Sequence, residues 1–216
     1  MLSEVSKNEV KDTGNSESKG FQNIKPESDL TMSDANEFWD KTLGNNVESP
    51  ESTAIDTDSK LDDNGMKYRD GDQLIPNSQY EINGYKYKTD ENGRIVSAEG
   101  KLKIKEHEGR KDIADSRDTV ARGEMKSEDD RGHLIADRFE GGNGLENMVP
   151  MDGKLNKGDY AKMEGMLSDA VNDGCDVHLK VEPVYSDNSF RPSEFRISYS
   201  IDGEITKTVF KNGSDS

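Results

Sequence analysis

Between Asp129 and Glu164 the chain changes character three times within a short span, and that order limits what it can fold into. His133-Leu134-Ile135-Ala136 is apolar enough to enter a core as a strand. Gly141-Gly142-Asn143-Gly144 must be loop. From Asn156 the pattern turns helical: Tyr160, Met163, Leu167 and Val171 recur at three and four, while Lys162, Asp169 and Asp173 face away. Gly174 closes the helix. The fold must therefore bring a strand, an irregular loop and one amphipathic helix to a common core.

Short strands surround that segment. Tyr80 to Tyr87 reads as two strands around Asn83-Gly84, the strongest local hairpin signal. A second turn at Glu91-Asn92-Gly93 leads into Arg94-Ile95-Val96, and Lys101-Leu102-Lys103-Ile104-Lys105 alternates as a half-buried strand would. Residues 106–128 are charged, with Ile113 to Val120 as a short helix candidate. Val177 to Val181 alternates again, and Phe195–Ile201 and Ile205–Phe210 flank the turn Asp202-Gly203. Strands broken by one helix predict an α+β domain over residues 74–212, mostly antiparallel, without βαβ alternation.

Ahead of that domain, residues 1–73 read as an acidic, mostly disordered leader, with a short helix at 34–43. Asp34 and Glu37 have capping-box spacing there, Phe38, Trp39 and Leu43 share a face, and Gly44 is a stop. Across the chain, 30% hydrophobic against 34% charged residues and a mean hydropathy of −1.00 fit a partly unfolded sequence. The net charge of −16 argues against a broad basic face for nucleic acid, so any cations that meet phosphate must be concentrated locally. One cysteine allows no intramolecular disulfide, and one Cys with three His argues against structural zinc. No apolar run approaches membrane-spanning length, so no membrane partner is expected. Met1-Leu2-Ser3-Glu4 lacks the start of a secretion signal, so export would use another route or a larger parent protein; otherwise the chain is expected to be cytoplasmic.

The central stretch also carries chemistry. A phosphodiester resists hydrolysis because its charge repels nucleophiles and its alkoxide leaves poorly. An enzyme needs a base, a cation near the phosphate oxygens, and a frame that keeps both in line. His133 is the natural base, since imidazole titrates near neutrality. Arg131 can fork onto a phosphate, and Gly132 would keep the backbone slim for substrate. Asn156, a neutral amide at the start of the helix, suits a Mg²⁺ that keeps much of its water. Glu164 lies eight positions on, offset by about 80° on a continuous helix, within reach of that water shell. Asn147, before Val149-Pro150, could hold substrate or orient the histidine. Each residue alone has a plainer reading as turn, cap or solvated surface; the conjunction carries the argument.

With these residues in place, the sequence resembles the DNA/RNA non-specific endonucleases of the ββα-metal, or His-Me finger, group. The matching motifs are Asp130-Arg131-Gly132-His133, Asn147-Met148-Val149-Pro150, Asn156 and Glu164. The resemblance is closest to the branch found as C-terminal toxin domains of bacterial secreted effectors, through the GHLIA-type strand, Phe139-Glu140-Gly141-Gly142, Tyr185 and Arg191-Pro192. It implies His133 as general base, Asn156 as the protein ligand of one Mg²⁺ (Mn²⁺ as the alternative) and Glu164 on metal-bound water. Arg131 and Asn147 would steady phosphate and histidine, and Asp130 would brace the motif. Arg117 and Arg122 are both candidates for the family's upstream arginine. Products would carry 5′-phosphates, with DNA and RNA as substrates, and a toxin role implies a cognate immunity protein.

Two rivals remain at this level. One is a non-catalytic adaptor on the same fold, suggested by the −16 charge; the other is a nutritional or housekeeping nuclease. His107 and His178 are read as non-catalytic, and Cys175 as a packing residue. Tyr185 and Arg191-Pro192 are as well suited to a structural corner as to a substrate cleft.

Overall fold

A computed structural model of the chain describes residues 59–213. The expected helix at 34–43 lies outside them. Six antiparallel strands make the main sheet, in the order β11-β10-β9-β6-β5-β4. They are β4 (Gln79–Ile82), β5 (Tyr85–Thr89), β6 (Ile95–Lys101), β9 (Val177–Val184), β10 (Glu194–Ile201) and β11 (Glu204–Lys211). The two foreseen hairpins form as read: Asn83 and Gly84 take φ of 54° and 81°, and Asp202 and Gly203 take 51° and 89°, left-handed values that a two-residue turn requires. Alternation sets the inner face, with Tyr85 and Tyr87 on β5, Val177, Leu179 and Val181 on β9, and Phe195 and Ile197 on β10 all buried.

A separate ribbon pairs β7 (Asp129–His133) with β8 (Met148–Asp152), and beyond it the chain makes a helical turn α2 (Gly153–Leu155), a wide turn over Asn156–Tyr160, and the helix α3 (Ala161–Asn172). A short helix α1 (Arg117–Ala121), capped by Ser116, covers the end of the charged stretch. α3 buries Met163 and Leu167, while Tyr160 meets Phe195 edge-on with centroids 6.0 Å apart. Gly174, at φ 86°, ends the helix, with Cys175 N–H returning to Ala170 O at 3.0 Å. Among the described residues no helix is long and apolar enough to cross a membrane.

Two local expectations need correction. Residues 59–73, read as linker, contain β1 (Ser59–Leu61), β2 (Lys67–Asp70) and the start of β3 (Gln73–Leu74), a small antiparallel sheet. Polar side chains organise it, which hides it from a hydrophobic period. Asp62 accepts the Asn64 and Met66 N–H groups at 2.9 and 2.8 Å and the Glu81 N–H at 3.0 Å. Tyr68 then stacks on Tyr80 at 4.9 Å, and Tyr80 on Tyr87 at 5.2 Å, which joins this sheet to the main core.

The alternating Lys101–Lys105 segment is strand only as far as Lys101. Leu102 still donates to Val177 O at 2.8 Å, but Lys103 and Lys105 then pair with Glu140 and Asp137 at 3.2 and 3.0 Å. Lysines expected to point to water are instead gathered by a neighbouring loop. That deflection carries residues 105–111 toward His133.

Candidate active site

His133 ends β7 opposite Met148, and the Asp-Arg-Gly-His motif is itself the strand. The apolar Leu134-Ile135-Ala136, expected to be that strand, follows it as buried irregular chain. The ribbon is tight: a Cβ on Gly132 would lie 2.6 Å from Met151 Cβ. Gly132 is therefore small so that β7 can pack on β8; it is buried and does not clear space for substrate.

Past the ribbon, Asn147 is completely buried and all of its amide is spent on backbone. Its Oδ1 accepts from Ile135 N at 2.9 Å, and its Nδ2 donates to Ile135 O and Gly142 O at 2.7 and 2.8 Å. It has no group left for a phosphate and acts on His133 only by fixing the chain two residues on. Gly141 abuts the same point, where a Cβ would fall 1.8 Å from Ile135 O. Asn147→Ala would strand three buried backbone groups, so a loss of about 2–3 kcal/mol is expected in denaturant unfolding. A loss below ~1 kcal/mol would contradict this role.

The second half of the site is tied to the first by Tyr160, whose hydroxyl donates to Leu134 O at 2.9 Å, one residue past the histidine. The expected regular helix from Asn156 is not what forms. Asp152 caps α2 through the Lys154 and Leu155 N–H groups, and Gly158 then breaks helical geometry at φ −104°, ψ −106°. Asn156 and Glu164 therefore do not share one helical frame, and the 80° offset does not apply. Asn156 is oriented from its side: its Nδ2 donates to Asp130 Oδ2 at 3.1 Å, which leaves Oδ1 as the amide's acceptor. Asp130 also pairs with Lys157 Nζ at 2.6 Å. Burial works against its charge, yet Lys157 and Asn156 hold the carboxyl below the usual range, so it is the anion this bracing requires.

The electrostatics suit a base beside a cation. His133 is buried and its Nε2 has no hydrogen-bond partner. Burial, aided by Arg110 and opposed by Asp137, lowers its pKa to about 4, so the ring is neutral at pH 7. Glu164, half-buried, is pushed up to about 7 by desolvation against the pull of Arg138 and Arg110. A half-buried carboxyl and an amide oxygen without a hydrogen-bond partner are oxygen groups of the kind a hydrated hard cation takes, and the neutral imidazole has the chemistry of a base. Among the described residues no three His, Cys, Asp or Glu side chains converge as a cage, so most of such an ion's shell would be water.

Other sequence-selected residues also make contacts to the scaffold. Arg131 donates one guanidinium N–H to Asp115 O. Arg117 straps Asp129 O and Lys126 O at 2.6 and 2.8 Å, and Arg122 stacks on Phe190 at 4.1 Å. The guanidinium whose field reaches both His133 and Glu164 is Arg110, missed because its charged stretch has no period. Tyr185 donates to Ile95 O, and Arg191 grips Asp129 with two bonds of 2.8 Å, which makes this segment a structural corner.

The sequence profile described as DNA/RNA non-specific endonuclease matches residues 76–203, more than half of the chain. The chain belongs to that family. Over 128 residues it is 33% identical to the type VII secretion system protein EssD of Staphylococcus aureus strains USA300 and NCTC 8325, an alignment that takes in 56% of this chain. The chain spans about one fifth of the length of these curated relatives, 20% in each case. Among solved structures, the Sda1 nuclease with bound zinc ion is 27% identical over 40% of this chain and 39% of its own, with a TM-score of 0.37. An extracellular endonuclease is 20% identical over 61% of this chain and 80% of its own, with a TM-score of 0.43. Membership of this family relates the chain to the ββα-metal nucleases, and the matched residues 76–203 include the ribbon and the helix that follows it.

Proposed function

We infer that this chain is a divalent-cation-dependent endonuclease that hydrolyses DNA and RNA phosphodiester bonds without sequence specificity, and that it serves as the toxin domain of a secreted bacterial effector. The observation that carries the catalytic reading is the Asp130–Asn156 bond of 3.1 Å, which orients the Asn156 amide from the same motif that ends on a neutral His133 with an unpartnered Nε2. The toxin reading rests on the similarity to EssD, a protein of a secretion system, and it brings with it an immunity protein as expected partner.

In this mechanism the His133 imidazole takes the proton of the attacking water, its neutral state at pH 7 leaving a ring lone pair available. Asn156 Oδ1 and, through water, Glu164 would hold a Mg²⁺ or Mn²⁺, which would supply positive charge to the phosphate and leaving oxygens. Arg110 adds fixed positive charge on the same side. Asp130 keeps Asn156 turned, and Asn147 and Tyr160 hold the two halves of the site together.

The test is cleavage of supercoiled plasmid and of a long RNA with Mg²⁺, with Mn²⁺ and with EDTA, for wild type and Asn156→Ala. EDTA should abolish cleavage of both substrates. Asn156→Ala should reduce it about 100-fold at fixed metal, with partial recovery as metal is raised. Full activity in EDTA would remove the metal from the mechanism.

A further inference from the structure

We propose that Lys111 and Arg138 form a second phosphate subsite beside the candidate active site, one that grips a phosphate flanking the scissile one on a single strand of nucleic acid. The proposal deepens the nuclease reading of that site and rests on it for the substrate class.

The geometry starts at Asp137, four residues past His133 and buried. Its carboxylate gathers the charged loop that precedes α1. Oδ2 takes Lys105 Nζ at 3.0 Å, and Oδ1 takes the Lys111 N–H at 3.3 Å, with His107 Nε2 at 3.5 Å. Lys105 N–H donates to Arg138 O at 3.0 Å, which closes the clasp from the other side. Lys111 and Arg138 are thereby brought to one carboxylate, the first through its backbone and the second as its sequence neighbour.

Their side chains differ from the cations around them. Lys101, Lys103 and Lys105 each have a carboxylate partner within 3.2 Å. Among the described residues Lys111 and Arg138 are exposed, and neither side chain makes a hydrogen bond or an ion pair. In a chain of net charge −16, two exposed cations without a hydrogen-bonded carboxylate, on segments tied to Asp137, are where polyanion affinity can reside. The Arg138 charge also acts on the Glu164 carboxyl. Arg110 is next to Lys111 in sequence, and its charge acts on both His133 and Glu164. A substrate that reaches Lys111 and Arg138 as well must carry more than one phosphate, so short diesters would use only part of the surface.

The experiment measures binding without turnover. Full-length wild type and a Lys111→Ala/Arg138→Ala double variant are titrated against fluorescein-labelled octathymidylate and dithymidylate in EDTA across a salt series. The double variant should weaken octathymidylate binding by about tenfold or more. The slope of log affinity against log salt should become shallower by roughly 1.4, the value for two lost contacts to a single strand. The dithymidylate affinity should change much less. Exchanging the cations, Lys111→Arg with Arg138→Lys, should keep the wild-type slope, which separates charge from folding. Equal slopes for wild type and the alanine variant, an equal loss on both oligonucleotides, or no binding by wild type would overturn the subsite. Plasmid cleavage run in parallel keeps the two readings apart: steep, Lys111/Arg138-dependent binding without any cleavage supports the subsite and retires the catalytic assignment.

Discussion

His133→Ala is expected to lower phosphodiester cleavage by about 10³-fold while leaving a folded protein, because the change removes the proton acceptor and little of the scaffold. The ribbon register, the Tyr160–Leu134 bond and the Asn147 network are all made without the imidazole. A second signature comes from linkage. His133 has its pKa lowered to about 4 in the fold from 6.5, so its neutral burial contributes fully above pH 6.5 and is lost as pH falls toward 4. Glu164 is the opposite case: its pKa is raised from 4.5 to about 7, the fold holds the proton more tightly than the unfolded chain, and stability falls as pH rises through that window. Each contribution is on the order of 3 kcal/mol. In wild type they nearly cancel between the two ranges. Without His133 only the Glu164 linkage remains, so the variant's unfolding free energy should decline from about pH 4.5 to 7 where wild type's is flat. Urea unfolding across that range checks the linkage, and plasmid cleavage at pH 7.5 checks the catalysis. Cleavage that survives His133→Ala would remove the base assignment, and a flat variant profile would remove the buried-pair account.

Which features the sequence made visible follows from how each is held. The Asn83-Gly84 and Asp202-Gly203 hairpins and the face of α3 are written in local signals, dipeptides and three-four spacing, and they form where read. The β1–β3 sheet depends on one aspartate bonding three backbone N–H groups and on a tyrosine stack, and neither leaves a period. Likewise the Lys101–Lys105 alternation is a strand signal overridden by carboxylates from a loop more than thirty residues away. At the site, residue types were readable but orientations were not. Gly132 and Asn147 look like substrate-facing positions until their burial is known. Arg110 has no motif of its own, and only the clasp on Asp137 brings its loop to the histidine.

Arg191→Ala should be strongly destabilising, at about 3–5 kcal/mol. Its guanidinium meets both Asp129 oxygens at 2.8 Å, and it donates further to Asn212 O at 2.9 Å. The Asp129 side chain is 0% exposed, so truncating its partner leaves a charge with no access to water and only the Lys126 N–H at 2.9 Å as compensation. The penalty arises from the stranded carboxylate more than from the lost attraction. Removing both charges together, as Arg191→Met with Asp129→Asn, should therefore cost less than Arg191→Ala alone. The same pair decides between two roles for the Arg191-Pro192 segment. A substrate-binding arginine would, when replaced, lower kcat/KM in fully folded protein and flatten its salt dependence. A clamp on the first residue of β7 should instead lower activity only in step with the folded fraction, since Asp130 and His133 lie one and four positions further along that strand. Denaturant unfolding and cleavage measured on the same samples distinguish these, and a folded Arg191→Ala protein with a weakened salt slope would return the residue to the substrate cleft.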